Sequence, residues 1–286
     1  MLCFAVTALL LAPENAATAD DQFKLEERDL PGISIFSQRK RRRTAGSAHK
    51  LNEKTLLRQS HDDIHRVLGQ VPGVYIREEE GYGLRPNIGL RGASSDRSAK
   101  VTLMEDGILI APAPYSAPAA YYFPISSRLV GLEVYKGPAA IQFGPQTIGG
   151  AINMLSRQVP EAKPTLLLRS ANGNYGYAKA HFAAGGTSGR LGALIDAVHV
   201  RADGYHQIDG ADGPGTGGPT GFSKNEFLLR GLWRNAPRRS ATQRIGLKLG
   251  YADEVSNASY VGLTRSDFDQ NPYRRYLASQ NDRMGW

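Results

Sequence analysis

Beyond Pro160, apolar and polar residues alternate along long segments. Ile245, Leu247, Leu249 and Tyr251 interleave with Arg244, Gly246, Lys248 and Gly250. Phe227, Leu229, Gly231 and Trp233 interleave with residues that include Glu226, Arg230 and Arg234. A period of two predicts strands, and five can be placed, near 165–171, 174–184, 190–203, 223–235 and 243–256. This alternation suits strands with one face toward lipid and the other toward a polar lumen; a soluble sandwich would also alternate. Loop lengths favour the first reading. If the first strand rises from one side of a membrane, the connectors at 185–189 and 236–242 lie on the starting side and are short. Those at 204–222 and 257–283 lie on the far side and are long. Outer-membrane barrels have this asymmetry, and only the short connector at Asn172-Gly173 departs from it.

Between Val71 and Leu155 the apolar runs are shorter and punctuated by Gly and Pro. Val74-Tyr75-Ile76 precedes the acidic run Glu78-Glu79-Glu80. Val101 to Met104 and Ile108 to Ile110 flank Glu105-Asp106-Gly107, which predicts a hairpin of the Asp-Gly type. The stretch from Leu132 to Asn153, LEVYKGPAAIQFGPQTIGGAIN, predicts a strand at Leu132 to Tyr135 and a turn at Lys136-Gly137-Pro138. A second short segment at Ala139 to Phe143 follows, then a turn at Gly144-Pro145, and a last strand runs from Ala151 to Leu155 after Gly149-Gly150. Glycines so placed predict tight turns or close backbone approaches that a side chain would block. A phosphate cradle would need GxxxxGK[ST] or a helix start facing the anion, and the stretch has neither.

Ahead of these strands the pattern predicts a helix. Ser60 would cap it, Asp63 stands three residues on as in a capping box, and Ile64, Val67 and Leu68 line one face. Gly69 or Gly73 would end it, with Pro72 blocking continuation. His61, Asp62, Asp63 and His65 read as a solvated helix start whose acids complement the dipole, rather than as a metal site.

Composition adds compartment. Met1 to Leu11 is nearly all apolar, and Ala17-Thr18-Ala19 before Asp20 fits a small-x-small cleavage site, so 1–19 reads as a signal peptide. No Lys or Arg precedes its apolar core, so the recorded start is expected to lie inside the true signal. The one cysteine, Cys3, falls inside this segment and away from the cleavage point, so neither disulfides nor a lipoprotein anchor are expected. A net charge of +8 raises the question of nucleic acid. The densest basic cluster, Arg39 to Arg43, has no interleaved aromatics and reads as a solvated linker, so no nucleic-acid partner is expected. The arm at 20–50 shows little periodicity apart from Gly32-Ile33-Ser34-Ile35-Phe36. That lone strand is either an apolar piece of linker or an edge borrowed by a partner sheet.

Glu133, Lys136-Gly137, Phe143-Gly144 and Gly149-Gly150-Ala151-Ile152-Asn153 together resemble the C-terminal signature of the plug domain of TonB-dependent outer-membrane receptors. Ile88-Gly89-Leu90-Arg91-Gly92 resembles the plug's second signature, and the stretch from Arg85 to Pro124 looks like the ferric-dicitrate branch of the family. The resemblance implies an α+β plug domain over 51–160, followed over 161–286 by the first strands of an antiparallel transmembrane β-barrel. A complete barrel of this kind has about 22 strands, each of roughly 9–11 residues. That is more than lies beyond position 160, so the chain is expected to be truncated.

The resemblance further implies import of a ferric chelate, ferric citrate or another siderophore, across the outer membrane, with no cofactor and no metal ligands of the protein's own. It implies the TonB energy-transducing complex as partner, engaged through Ile33, Ser34, Ile35 and Phe36, where the family carries its TonB box. Outer-membrane lipid would surround the strands. Substrate contact would fall on Tyr82, Arg85, Arg97, Tyr115 and Tyr121: guanidinium pairs bidentately with carboxylates, and tyrosines offer amphipathic surface. The plug signature itself comprises Arg91, Gly92, Lys136, Gly137, Gly144, Gly149, Gly150 and Asn153. Arg91, Lys136 and Arg157 are candidates for ion pairs to barrel carboxylates. HExxH, CxxC, GxSxG and Walker motifs are all lacking, so no enzyme is expected. The interval from Asp20 to Gly32 leaves no room for a signalling domain. The alternative is a remnant, or a soluble periplasmic plug-like module, without transport activity; the lipid-patterned strands argue against the module.

Overall fold

A computed structural model describes residues 46–78, 82–110, 122–144, 146–210, 213–235, 243–257, 262–274 and 283–285. The signal peptide, the arm with Ile33 to Phe36, and the loop carrying Tyr115 and Tyr121 lie outside the described residues. The chain divides into two units, one running to Glu78 and from Arg85 to Ser156, the other comprising Glu79–Leu84 and Arg157–Trp286.

The first unit is α+β. Its elements are β1 (Ser47–Asn52), α1 (Glu53–Gln59), α2 (Ile64–Leu68), β2 (Val74–Arg77), β3 (Asn87–Leu90), β4 (Val101–Glu105), β5 (Ile108–Leu109), β6 (Leu129–Lys136) and β7 (Gly150–Ser156). Five strands form one sheet in the order β1-β6-β7-β4-β5, and β2 and β3 form a separate antiparallel pair. Only β4 and β7 run parallel within the larger sheet. β7 is buried along its whole length, as strands covered on both faces are. Ile152 and Met154 enter the main core with Ile64, Val67 and Leu68 of α2, together with Leu103, Leu132 and Val134. Ala151, just before Ile152, packs on the other face with Met104, Tyr135 and Phe143.

The helix pattern needs correction. Asp63, not Ser60, caps α2: its side chain accepts the His65 backbone N–H at 2.8 Å. Ser60 instead ends α1 in a left-handed conformation, φ 47°, with its N–H donated to Leu56 O. The periodicity does not reveal α1, which has only seven residues and is held by Asn52 accepting the Thr55 N–H. His65 is buried rather than solvated. The segment expected as a short strand at 139–143 is a 3₁₀ helix, Pro138–Phe143, with Gly137 and Gly144 at its ends in conformations of φ 97° and 98°. Proline at the first position presets a helical φ, so the turn continues into helix. The Asp-Gly hairpin is as expected: Asp106 and Gly107 both have positive φ, 54° and 81°, the type I′ pattern that matches strand twist.

The second unit is an antiparallel meander. It contains β8 (Thr165–Asn172), β9 (Ala178–Ser188), β10 (Leu191–Ala202), β11 (Gln207–Gly210), β12 (Gly213–Pro219), β13 (Phe222–Arg234), β14 (Arg244–Ser256), α3 (Arg265–Gln270) and β15 (Arg283–Gly285). The main sheet has the order β15-β14-β13-β10-β9-β8, and β11 and β12 pair separately within the long connector. All five expected strands form, with shifted ends. β9 starts four residues later than expected because Gly173 donates its N–H to Tyr177 O and closes a turn. It then runs on to Ser188, leaving only Gly189 and Arg190 before β10.

The sheet has its polarity reversed relative to a water-soluble protein. Leu168, Phe182, Ala197, Phe227 and Tyr251 form one row across β8, β9, β10, β13 and β14, and Leu168, Phe182, Phe227 and Tyr251 are exposed. The neighbouring row on the opposite face is Arg169, His181, Val198, Glu226 and Ala252, with His181 and Glu226 buried. Ile245, Leu247 and Leu249 continue the exposed apolar face along β14. Exposed apolar rows backed by buried charge suit a lipid-facing wall with a polar inner side.

Gly150 opens β7 at φ 147°, and a Cβ there would clash with the Tyr135 carbonyl oxygen. Gly150→Ala should destabilise the first unit by about 2–4 kcal/mol, through backbone strain and displacement of β6. Hydrogen exchange at the amides of β6 and β7 checks this, and unchanged protection would contradict it.

Candidate functional site

The signature residues converge on a buried polar network beneath the β4–β5 turn. Asn153 Oδ1 accepts the Gly107 N–H at 2.9 Å, and its Nδ2 donates to Glu133 Oε2 at 3.2 Å. The same Glu133 oxygen accepts the Tyr135 hydroxyl at 2.7 Å, and Lys50 Nζ stands 3.7 Å from the other oxygen. Burial, reinforced by the bond to Glu133 and by its negative charge, pushes the Tyr135 phenol far above its ordinary range. Asp106 accepts both the backbone N–H and the hydroxyl of Ser156, at 3.0 and 2.6 Å. Glu105 and Arg128 complete the set as a buried bidentate pair at 2.9 and 3.0 Å. In this arrangement Asn153 and Glu133 pin the hairpin turn, β6 and β7 to one another.

Lys136 is buried, and its ammonium donates to the Pro72 carbonyl. Burial and the nearby Arg91 charge lower its pKa. Its bond therefore runs to a turn within the first unit, where pairing with a barrel carboxylate was expected. Arg91 is exposed, has φ 52°, and donates its backbone N–H to Gly73 O at 2.9 Å; Gly92 follows at φ 81°. Gly149 donates its N–H to Lys100 O at 2.8 Å, which sets the approach of β7 to β4. Gly137 and Gly144 bracket the 3₁₀ helix.

The residues expected to meet substrate are placed differently from one another. Arg97 is exposed and held at φ 48°, next to Ser98 at φ 55°. Its backbone N–H donates to Asn87 Oδ1 at 2.7 Å, and the buried Ser98 hydroxyl donates to Pro86 O at 2.8 Å and accepts the Ile88 N–H at 3.0 Å. Two consecutive left-handed residues are costly and persist only where surrounding bonds over-determine them. Here they project a guanidinium into solvent. Arg85, by contrast, is 7% exposed, so its guanidinium is not presented to a ligand in this conformation. Tyr82 is half-buried in the second unit, its ring 4.7 Å from that of Phe222.

Residues not singled out from the sequence lie on the buried face of the second unit. His181 Nε2 and Asp196 Oδ1 are 2.8 Å apart, and Arg157 Nε lies 3.7 Å from Asp196 Oδ2. Arg157 thus pairs with a strand carboxylate, as expected for that residue. Lys224 Nζ sits 3.1 Å from Glu254 and 3.8 Å from Glu226. Charges at the inward positions of alternating strands were the available signal.

Residues 40–151 match the family model of the TonB-dependent Receptor Plug Domain. The vitamin B12 transporter BtuB of Vibrio vulnificus is 26% identical over 281 residues, which cover 94% of this chain and 42% of that protein. BtuB of Vibrio cholerae serotype O1 is 26% identical over 166 residues, covering 58% of this chain and 26% of the relative. The chain therefore spans well under half the length of these curated relatives. Among solved structures, the unliganded ferric citrate transporter FecA superposes with a TM-score of 0.59 at 23% identity, covering 80% of this chain and 34% of FecA. The ferric yersiniabactin uptake receptor FyuA of Yersinia pestis gives 0.58 at 21% identity, covering 75% and 33%. With the signature network and these matches together, residues 40–151 form a plug domain of the TonB-dependent receptor type, and the chain resembles such receptors. It carries their plug domain and antiparallel strands that resemble the start of their barrel. The relatives it matches are transporters and receptors, not enzymes.

The Glu105–Arg128 pair yields a test. Arg128→Met alone should cost about 3–5 kcal/mol, because Glu105 is left buried and uncompensated, while the Glu105→Met/Arg128→Met double variant should come close to neutral. Urea unfolding of the three proteins checks this. A double variant as unstable as the single one would make the pair a net stabiliser instead.

Proposed function

We infer that the receptor carrying this chain imports a ferric chelate across the outer membrane, driven by the TonB complex. The reading supposes a plug over 51–160 and barrel strands from 161 onward, with the arm at 20–50 on the periplasmic side. Ile33 to Phe36 would there be taken up as an added strand by the energy-transducing partner. The observation that carries it is a plug signature network in the same chain as a sheet whose exposed face is apolar and whose buried face is charged.

Within that reading the ligand is anionic and rich in carboxylates, citrate-like before other siderophores. Arg97, fixed in an unfavourable backbone conformation yet exposed, supports it, because such strain gathers at ligand clamps and guanidinium grips carboxylates in pairs. A second reading, a corrinoid ligand, is favoured by the likeness to the vitamin B12 transporters.

Equilibrium binding to full-length receptor in outer-membrane vesicles separates the two. Ferric dicitrate should bind and cyanocobalamin should not. Arg97→Ala should weaken ferric dicitrate about tenfold, roughly 1.4 kcal/mol, with the folded state unchanged. Tight cyanocobalamin binding without competition by ferric dicitrate would replace the first reading with the second.

A further inference from the structure

The charge pattern predicts His65 in solvent, but the structure places it 3% exposed. Its Nδ1 stands 3.0 Å from Asp63 Oδ1, an oxygen that also accepts the His65 backbone N–H. Among the described residues its Nε2 has no hydrogen-bond partner. Buried polar side chains almost always find one, so this half-satisfied imidazole calls for an explanation. Glu78, the residue after β2, supplies a second carboxylate. One ligand atom from each of Asp63, His65 and Glu78 lies within 4.8 Å of the other two.

Two donors that each bind a tetrahedral zinc ion at about 2.0–2.2 Å stand roughly 3.4 Å apart. The Nδ1–Oδ1 pair at 3.0 Å has to open only slightly to share one ion. We propose that Asp63, His65 and Glu78 bind a divalent transition-metal ion of borderline softness, Zn²⁺ in the simplest case, where α2 and β2 meet. One imidazole and two carboxylates, with water completing the shell, suit such an ion. Mg²⁺ and Ca²⁺ take oxygen ligands and would leave the imidazole unused. Asp63 and His65 are pre-positioned by the cap of α2, and the exposed Glu78 closes on the ion from the end of β2. The ion would thereby join two elements on either side of the turn whose Pro72 carbonyl receives Lys136, and so stiffen the start of the acidic run at Glu78.

The rival account is a His65 imidazolium paired with Asp63 and no metal. Competition for Zn²⁺ between the tag-free, full-length receptor in detergent and a chromogenic chelator decides between them, run with Glu78→Gln and His65→Gln alongside. Glu78 is exposed, so its variant leaves the core intact, and near-ultraviolet circular dichroism checks the fold of both. The proposal expects one Zn²⁺ per chain that Mg²⁺ in large excess does not displace. Binding should be at least about tenfold weaker in Glu78→Gln and absent in His65→Gln. A wild-type receptor without stoichiometric Zn²⁺, or binding unaffected in both variants, overturns it.

Discussion

A strand in hydrocarbon has no water to bond its backbone, so each N–H and C=O must pair with a neighbouring strand and each outward side chain must be apolar. Between the rows of Leu247 and Tyr251 the main sheet satisfies both conditions at once. β10 and β13 pair without a break from Leu191–Trp233 to Ala202–Phe222, and β13 and β14 from Phe222–Ser256 to Arg234–Arg244. Because the side-chain period is two, that unbroken register keeps Phe227 and Tyr251 on one face and Glu226 on the other. A single slip would put Glu226 and Asp196 into lipid. At that level the charged residues lie on the buried face; there Asp196 meets His181 and Arg157, and Lys224 stands between Glu226 and Glu254.

The plug meets a different constraint. A small five-stranded sheet with one parallel pair has to be held in a single arrangement, and apolar packing alone tolerates alternatives. The buried network of Glu133, Tyr135, Asn153 and Gly107, with Asp106 on Ser156, makes the arrangement specific, because any other register leaves these groups unpaired. Its net contribution to stability is modest for the ion pair Glu105–Arg128, where desolvation offsets attraction. Specificity of register, more than stability, is what these polar residues supply.

Much of this is legible in the sequence because it follows from short-range rules. The Asp106-Gly107 turn, the alternation from Phe222 to Tyr251 and the signature glycines around β7 each carry their own geometry. Other features depend on competition between neighbours. Ser60 and Asp63 are both good caps, and which one starts α2 was decided by α1, whose seven residues are too few to show periodicity. Pro138 turned an apparent strand into a 3₁₀ helix. His65 looks solvated beside two aspartates, and only the packing of α2 on the sheet buries it. Of the residues expected to touch substrate, Arg85 is buried and Arg97 is exposed, its backbone held by the Asn87 hydrogen bond that no sequence spacing reveals.

The most direct test of the lipid-facing sheet is site-directed spin labelling along β14 in bilayers. Cys3 is the only native cysteine, so once it is replaced single-cysteine variants are straightforward. Labels at Ile245, Leu247, Leu249 and Tyr251 should be accessible to lipid-soluble oxygen and shielded from a polar nickel reagent, while labels at Gly246, Lys248 and Gly250 should show the reverse. Uniform accessibility to the polar reagent at all seven positions would contradict a membrane-spanning wall.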